Sequence, residues 1–176
     1  MFDTHITLDA APQTDWFVDP ASGVARLEAA AQLEPVDGDF LLSARVEVEF
    51  ASTFDAGVLV LWHDERTWAK LCFEYSPDRE PMVVSVVTRG VSDDCNSAVI
   101  DGNAVWLRIA RIGRAHAFHY STDGARWNLV RHFALAPDGL LQTGFLAQSP
   151  TGNGCRATFT DVRFERSTLA DLRSGD

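Results

Sequence analysis

The chain has 176 residues, of which 46% are hydrophobic and 10% aromatic, and its formal charge at pH 7 is −10. This composition is typical of one folded domain and excludes a disordered or fibrous protein. The acidic charge disfavours binding to nucleic acid and to anionic membranes, because no excess of basic residues is available for their phosphates. The first residues lack the pattern of a secretory signal, and no apolar run is long enough to span a membrane. We therefore predict a cytoplasmic protein without nucleic-acid or membrane partners.

Three widely spaced cysteines, Cys72, Cys95 and Cys155, predict reduced thiols rather than a disulfide framework. No two of them have the spacing of a zinc motif. The sequence identifies no metal site and no cofactor, although the loop oxygens of Asp93, Asp94 and Asn96 could rim a groove or bind a cation.

The first predicted element is a strand or loop over residues 15–23 that ends in a turn. Residues 24–33 predict a strand and loop, although their alanines would also suit a short helix. Alternation of apolar and charged residues predicts a half-buried strand over residues 40–50. The nearly continuous apolar run of residues 57–63 predicts a strand covered on both faces.

Residues 68–75 form the central predicted strand, and its two faces differ in chemistry. A period of two places four core-like side chains on one face: Ala69, Leu71, Phe73 and Tyr75. The opposite face combines an aromatic ring, a cation, a thiol and a carboxylate: Trp68, Lys70, Cys72 and Glu74. Because this mixture suits neither a solvated surface nor a packed interior, it predicts a ligand-binding surface.

Further strands are predicted at residues 82–88, 105–112, 115–121, 127–130, 140–149 and 155–164. Polar residues around Gly90 predict a loop over residues 89–97. The terminal stretch is predicted to fray, with one helical turn at residues 168–173.

Ten or more short strands with frequent turn signals and no long helix predict an all-β fold, a two-sheet antiparallel β-sandwich of the jelly-roll type. Residues 1–165 are predicted to form one domain, and residues 166–176 a C-terminal tail. The curvature of such a sandwich predicts a concave groove on one sheet.

Five segments carry a recognisable family pattern: 57–75, with Asp64, Trp68, Lys70 and Glu74, and then 84–93, 105–109, 120–127 and 144–150. Together they resemble the DUF1349 family of concanavalin A-like domains, from about Trp16 to Phe164. The resemblance implies a lectin and glucanase-type jelly roll, with members in some cases associated with carbohydrate metabolism. That association rests on analogy of fold.

One departure from the family pattern concerns the residue after a Ser-Asp pair. Many relatives have an aromatic residue there, whereas here Ser92-Asp93 is followed by Asp94, Cys95 and Asn96. If that aromatic ring stacks on a sugar in the relatives, this chain must supply the ring elsewhere. The candidates are Trp62, Trp68 and Trp106.

Eight residues are the predicted ligand contacts. Lys70 and Glu74 share a strand face, where they can bind sugar hydroxyls or neutralise each other. Trp106 and Arg108 also share a face and would supply a stacking ring and a planar donor group, or else form a core edge and a solvated charge. The other four are polar groups of the predicted loop and of a strand end: Asp93, Asp94, Asn96 and Gln148.

The leading hypothesis is a carbohydrate-binding, lectin-like domain that holds a saccharide in a groove formed by Lys70, Glu74, Trp106 and Arg108. The first alternative is a glycoside hydrolase or other sugar-modifying enzyme, which needs two carboxyl groups. Its catalytic candidates are Glu74 and a loop aspartate, Asp93 or Asp94. The second alternative is a protein-interaction or regulatory domain. A homodimer through an open sheet edge is compatible with all three hypotheses.

Overall fold

The fold is built from two six-stranded antiparallel sheets, in a computed structural model that describes residues 2–135 and 139–176. Sheet 1 contains, in spatial order, β1 (Ile6–Asp9), β14 (Arg156–Glu165), β5 (Phe40–Val48), β10 (Ala104–Ile112), β11 (Ala115–Ser121) and β12 (Asn128–Ala134). Sheet 2 contains β4 (Ala31–Val36), β13 (Leu141–Gln148), β6 (Ala56–Asp64), β7 (Thr67–Tyr75), β8 (Pro81–Arg89) and β9 (Val91–Val99). A hairpin of β2 (Trp16–Val18) and β3 (Ala25–Leu27) forms a third, smaller sheet. The predicted all-β, two-sheet antiparallel sandwich is confirmed.

The main core lies between the two sheets and follows the alternation of the strands. In β5 every second side chain is buried, including Val46 and Val48, and the intervening side chains are half-buried on the outer face. In β7, Ala69, Leu71 and Phe73 face the same core, as the sequence predicts. Period-two alternation therefore identified the core-facing side chains correctly in both strands.

A second apolar cluster covers the outer face of sheet 2, because the N-terminal segment folds across it. Trp16 of β2 packs against Trp62 and Trp68, with ring centroids 4.7 and 6.0 Å apart. Its indole Nε1 donates a hydrogen bond of 2.8 Å to the Ala29 carbonyl. This bond joins the beginning and the end of the covering segment. This cover explains why β6 is apolar on both faces, as predicted.

The predicted loop over residues 89–97 is wrong, because β9 runs from Val91 to Val99 and pairs with β8. The two strands are joined at Gly90, which has a φ of +84° and donates its N–H to the Arg66 carbonyl. β9 is the edge strand of sheet 2 and most of its side chains are exposed. Such an edge strand needs no apolar alternation, so its sequence resembles a polar loop.

The C-terminal predictions are also wrong. Residues 168–173 form no helical turn; the turn instead covers residues 172–175. The tail does not fray, because buried side chains of sheet 1 hold two of its main-chain carbonyls, those of Leu172 and Gly175. Residues 24–33, in contrast, form strand and loop, as predicted.

Gly57 of sheet 2 lies tightly against side chains of sheet 1, and its position leads to the first prediction. A Cβ at this position would lie 2.7 Å from Val46 Cγ1 and 3.1 Å from both Val48 Cγ2 and the Ala157 Cβ. Gly57→Ala should therefore lower the free energy of unfolding by about 1–3 kcal/mol through overpacking. Urea unfolding followed by circular dichroism measures this change. An unchanged midpoint would contradict this prediction, because it would show that the sheets accommodate the added methyl group without loss of stability.

Candidate functional site

A cavity of about 160 Å³ lies on the outer face of sheet 2, and we call it the Lys70 cavity. The cavity is lined by residues of sheet 2, of the segment that contains β2 and of the loop before β6: Asp15, Phe17, Phe54, Lys70, Glu74, Val84, Val86, Asp94 and Gln148. Pockets for drug-sized ligands usually have about 300–1,000 Å³. The Lys70 cavity therefore suits a ligand of about one ring.

Strand register brings the polar residues of this cavity together. Lys70 is level with Val86 of β8, which is level with Asp94 of β9. Four residues further along β7, Glu74 is level with Ala56 of β6, which is level with Gln148 of β13. Since paired residues of neighbouring strands point to the same face, both rows present their side chains to the cavity.

The Lys70 ammonium is the polar centre of the cavity. Its Nζ donates hydrogen bonds to Asp15 Oδ1 at 3.1 Å and to Gln148 Oε1 at 2.8 Å, and the side chain is only 2% exposed. Burial alone would lower the pKa of Lys70, but its interactions with neighbouring groups, above all the negative charge of Asp15, outweigh burial and raise the pKa above its usual value. The ammonium is therefore charged and partnered.

Glu74 is the carboxyl group that the cavity leaves without a hydrogen-bond donor, within the part of the chain that the structure describes. Burial raises the pKa of Glu74 to about 7, and Asp15 and Asp94 reinforce this increase against the opposing charge of Lys70. At neutral pH the group therefore exists in both protonation states. It can accept a hydrogen bond from a ligand or donate one.

Two phenylalanine rings provide the apolar part of the cavity. Phe54, in the loop before β6, is 37% exposed and has a φ of +71°. Phe17, in the covering hairpin, contributes the second ring. The left-handed backbone of a residue with a side chain costs about 1–2 kcal/mol, so the fold must hold Phe54 in place.

Asp55 supplies that constraint, since it fixes the loop on both sides. Its fully buried carboxylate accepts hydrogen bonds from the Ala51 N–H at 2.9 Å, from the Ser52 N–H at 2.7 Å and from Ser149 Oγ at 2.6 Å. The Phe54 N–H itself donates to the Tyr75 carbonyl at 2.7 Å. The exposed ring is therefore held at the rim of the cavity by a satisfied polar network.

Of the predicted site residues, the structure brings Lys70, Glu74, Asp94 and Gln148 together around the Lys70 cavity. Asn96 is level with Val84 on the same edge strand, but it is exposed and outside the cavity lining.

The predicted common groove of Lys70, Glu74, Trp106 and Arg108 is wrong. Trp106 and Arg108 belong to β10 of sheet 1, where they face away from the core. Lys70 and Glu74 lie on the outer face of sheet 2. The two pairs are therefore on opposite sides of the sandwich, because period-two alternation assigns a face within one strand but does not assign the strand to a sheet.

Asp93 does not face Glu74 across the cavity. It is level with Val87, whose side chain lies in the core between the sheets, so Asp93 points to that side of β9. Its Oδ1 forms an ion pair with Arg131 of β12 at 3.0 Å, which links the edges of the two sheets. Asp15 and Asp94 are the carboxylates that accompany Glu74 instead.

The tryptophans expected to stack on a sugar do not line the Lys70 cavity. Trp68 is fully buried, Trp62 packs against Trp16, and Trp106 lies on sheet 1. The aromatic rings that line the cavity are instead those of Phe17 and Phe54. The sequence analysis predicted neither of them, and it did not predict Asp15 as a site residue. The only available signal was that Asp15 and Phe17 are two residues apart in a strand-like stretch and thus share a face.

Thiol and metal chemistry have little support in the described residues. All three cysteines are free, as predicted, and burial raises the pKa of the Cys72 thiol, which leaves it a packing group rather than a nucleophile. No three His, Cys, Asp or Glu side chains in residues 2–135 and 139–176 are placed to hold a metal ion. Over the same residues, no helix is long and apolar enough to cross a membrane.

The pKa of Glu74 predicts how stability depends on pH. Its folded pKa of about 7 exceeds the ordinary value of 4.5, so the folded chain binds more protons than the unfolded chain between these pH values. The stability contributed by the protonated group is therefore lost as pH rises from 4.5 to 7. Relative to wild type, Glu74→Gln should gain about 1–3 kcal/mol in the free energy of unfolding between pH 5 and pH 8, measured by urea unfolding.

Asp123→Asn is the matched control for this measurement. Hydrogen bonds from the N–H groups of Arg126 and Ala125 hold the pKa of Asp123 below its ordinary value of 3.8. Its titration thus lies below the tested range, and the difference between Asp123→Asn and wild type should stay constant from pH 5 to pH 8. The same flat profile for Glu74→Gln would contradict the assigned environment of Glu74.

A named protein and a crystal structure, both from Saccharomyces cerevisiae, are similar to the chain over most of its length. The protein named Regulation of enolase protein 1 is 28% identical over 158 residues, which cover 89% of this chain and 79% of that protein. A crystal structure described as that of a functionally unknown protein from this yeast superposes with a TM-score of 0.86 and 24% identity. That superposition covers 94% of this chain and 90% of the yeast chain.

Bacterial glycosidases share the fold over about a third of their length. The GH43 BlXynB protein of Bacillus licheniformis has a TM-score of 0.66 at 14% identity, over 93% of this chain and 33% of that chain. The xylan beta-1,4-xylosidase of Bacillus halodurans has a TM-score of 0.69 at 16% identity, over 92% and 32%. At these identities the similarity shows the fold alone.

The family model described as "Protein of unknown function (DUF1349)" matches residues 2–167. This range includes every strand of both sheets and every residue that lines the Lys70 cavity. The chain therefore belongs to the DUF1349 family.

Proposed function

We propose that the chain binds a saccharide and holds one sugar ring in the Lys70 cavity. The observation that carries this proposal is the half-buried Glu74 carboxyl, which has no hydrogen-bond donor within the described residues although it lies beside the satisfied Lys70, Asp15 and Gln148 groups. A half-buried carboxyl is only partly hydrated, and a ligand hydroxyl would supply the hydrogen bond that the described residues do not.

The two rings of the cavity fit the same ligand. A pyranose or furanose ring presents C–H groups on its faces and hydroxyls at its edge, and pockets for such amphipathic ligands combine aromatic walls with a few fixed polar groups. Phe54 at the rim and Phe17 in the cover supply apolar surface, while Glu74 and Gln148 supply hydrogen-bonding groups.

Charge argues against an anionic sugar. Three carboxylates surround the cavity, those of Asp15, Glu74 and Asp94, and Lys70 is the one cation that lines it. A sugar phosphate or uronate would meet repulsion from this set, whereas a neutral saccharide would not. The named activity of the xylosidase that shares the fold places xylose and xylo-oligosaccharides first among the neutral saccharides to test.

Titration calorimetry against xylose, xylobiose, arabinose, glucose and galactose tests the proposal. Glu74→Gln and Phe54→Ala should each raise the dissociation constant of the binding saccharide by about tenfold or more, because each removes a direct contact. Glu47→Gln is the matched control, since this half-exposed carboxylate lies on sheet 1 and pairs with Arg45. Binding that survives both cavity substitutions unchanged would refute this placement.

A sugar-modifying enzyme is the second candidate, favoured by the pKa of about 7 that burial gives Glu74. A carboxyl of this pKa can act as a general acid near neutral pH, and Asp15 or Asp94 would be the second carboxyl. Release of nitrophenol from nitrophenyl glycosides measures such activity. Glu74→Gln should reduce the rate by about a hundredfold or more. Full activity in this variant would remove the enzyme candidate.

A regulatory domain is the third candidate, favoured by the name of the yeast relative. In this case the saccharide would be the signal, and the chain would act on a protein partner in the cytoplasm, where its three free thiols would stay reduced. Affinity capture of enolase by the immobilised chain, with and without saccharide, tests this candidate. If the amount of captured enolase changes neither with saccharide nor with Glu74→Gln, the regulatory surface lies outside the Lys70 cavity.

A further inference from the structure

Residues Asp171–Asp176 form a closed turn that lies on the outer face of sheet 1, on the opposite side from the Lys70 cavity. The Asp171 N–H donates to the Asp176 carbonyl at 2.8 Å, and the N–H groups of Gly175 and Asp176 donate to the Asp171 carbonyl at 2.9 and 3.1 Å. The segment therefore keeps its own shape and can be treated as a ligand of the sheet.

Sheet 1 binds this turn through side chains that recognise main-chain carbonyls. Arg108 Nη2 donates to the Gly175 carbonyl at 2.6 Å, and His119 Nε2 donates to the Leu172 carbonyl at 2.8 Å. Arg108 and His119 face each other across β10 and β11. The Arg108 guanidinium also lies over the ring of Trp127, with its Cζ 4.2 Å from the centroid. We call the surface formed by Arg108, His119 and Trp127 the tail pocket.

The tail pocket selects glycine at one position. Gly175 is buried, has a φ of +80°, and a Cβ on it would lie 2.5 Å from Arg108 Nη2 and 2.7 Å from the Trp127 Cβ. Any larger residue would meet both a strained backbone and a clash. Recognition of this kind is specific for sequence, unlike an accidental contact of a chain end.

Arg108 is poorly satisfied by the tail that covers it. The residue is 6% exposed, and its Nε has no hydrogen-bond partner within the described residues. The buried Nδ1 of His119 is likewise unpartnered. Burial lowers the pKa of Arg108 to about 10, and the negative charges of Asp176 and Glu165 oppose this decrease. The acidic residue that follows Gly175 therefore interacts favourably with Arg108, while part of the buried polar surface stays without a hydrogen bond.

An open cavity of about 600 Å³ continues from the tail pocket. It is lined by the tail itself and by polar and aromatic groups of sheet 1, among them Tyr120, Arg126 and Asn128, and Ser97 of β9 forms part of the facing wall. A peptide longer than the tail would therefore find additional room and an additional cation.

We propose that the tail pocket is a binding site for a short acidic peptide segment of another chain, with glycine at the buried position, and that Asp171–Asp176 fills this site as a displaceable latch. The segment itself defines the ligand chemistry: two main-chain carbonyls for Arg108 and His119, a glycine against Trp127, and an acidic residue after the glycine. This inference is independent of saccharide binding, because the two sites lie on opposite sheets.

The test uses a fluorescent synthetic peptide with the sequence of residues 167–176 and the full-length chain, either wild type or with Gly175→Val. The substitution should release the latch, seen by NMR as a shift of the His119 imidazole N–H resonance, because this N–H donates to the Leu172 carbonyl of the tail. The peptide should bind Gly175→Val at least about tenfold more tightly than wild type, because in wild type the attached tail competes at an effective concentration in the millimolar range. Fluorescence anisotropy measures both affinities.

Two controls define the contacts. A peptide that carries valine at the position of Gly175 should not bind, and Arg108→Gln in the Gly175→Val chain should weaken binding by about tenfold or more. Gly175 lies outside both sheets, so circular dichroism should show a folded chain; if Gly175→Val is unfolded, Gly175→Ala serves the same comparison. The proposal is overturned if the His119 imidazole N–H resonance is unchanged by Gly175→Val, if the released chain does not bind the peptide, or if binding survives Arg108→Gln.

Discussion

The buried ammonium of Lys70 is the interaction on which the arrangement of sheet 2 depends. A charge removed from water must be paired, and its two partners come from distant parts of the chain, Asp15 before β2 and Gln148 at the end of β13. The same contact that neutralises Lys70 therefore fixes the N-terminal segment over the sheet. Without a cation at this position, Gln148 Oε1 would lose its hydrogen-bond donor and Asp15 would lose the opposite charge of its ion pair.

Each outer face of the sandwich is covered by a segment that lies outside the two large sheets, and each covering segment meets a buried cation. On sheet 2 the cover supplies a carboxylate to Lys70, so the charges compensate each other. On sheet 1 the cover supplies a main-chain carbonyl to Arg108, and part of the guanidinium stays unpartnered. This difference in compensation is the basis for the proposal that the segment on sheet 1 is displaceable.

Prediction from sequence succeeded where neighbours along the chain carry the information. In β5 and β7 the alternation identified the core face, and in β6 the apolar run identified a strand covered on both sides. It failed at β9, an edge strand with exposed side chains, and at the tail, whose order comes from Arg108 and His119. At neither place does the local sequence contain the partner that orders it.

For the candidate site, the sequence by itself determined that Lys70 and Glu74 share a face of one strand, because alternation is a property of the extended backbone. Only the tertiary structure decided which residues meet that face. Register across β7, β8 and β9 brought in Asp94, the covering segment brought in Asp15 and Phe17, and the sandwich separated Trp106 and Arg108 onto the other sheet. Such pairings depend on how strands are ordered in space, which the periodicity of one strand does not encode.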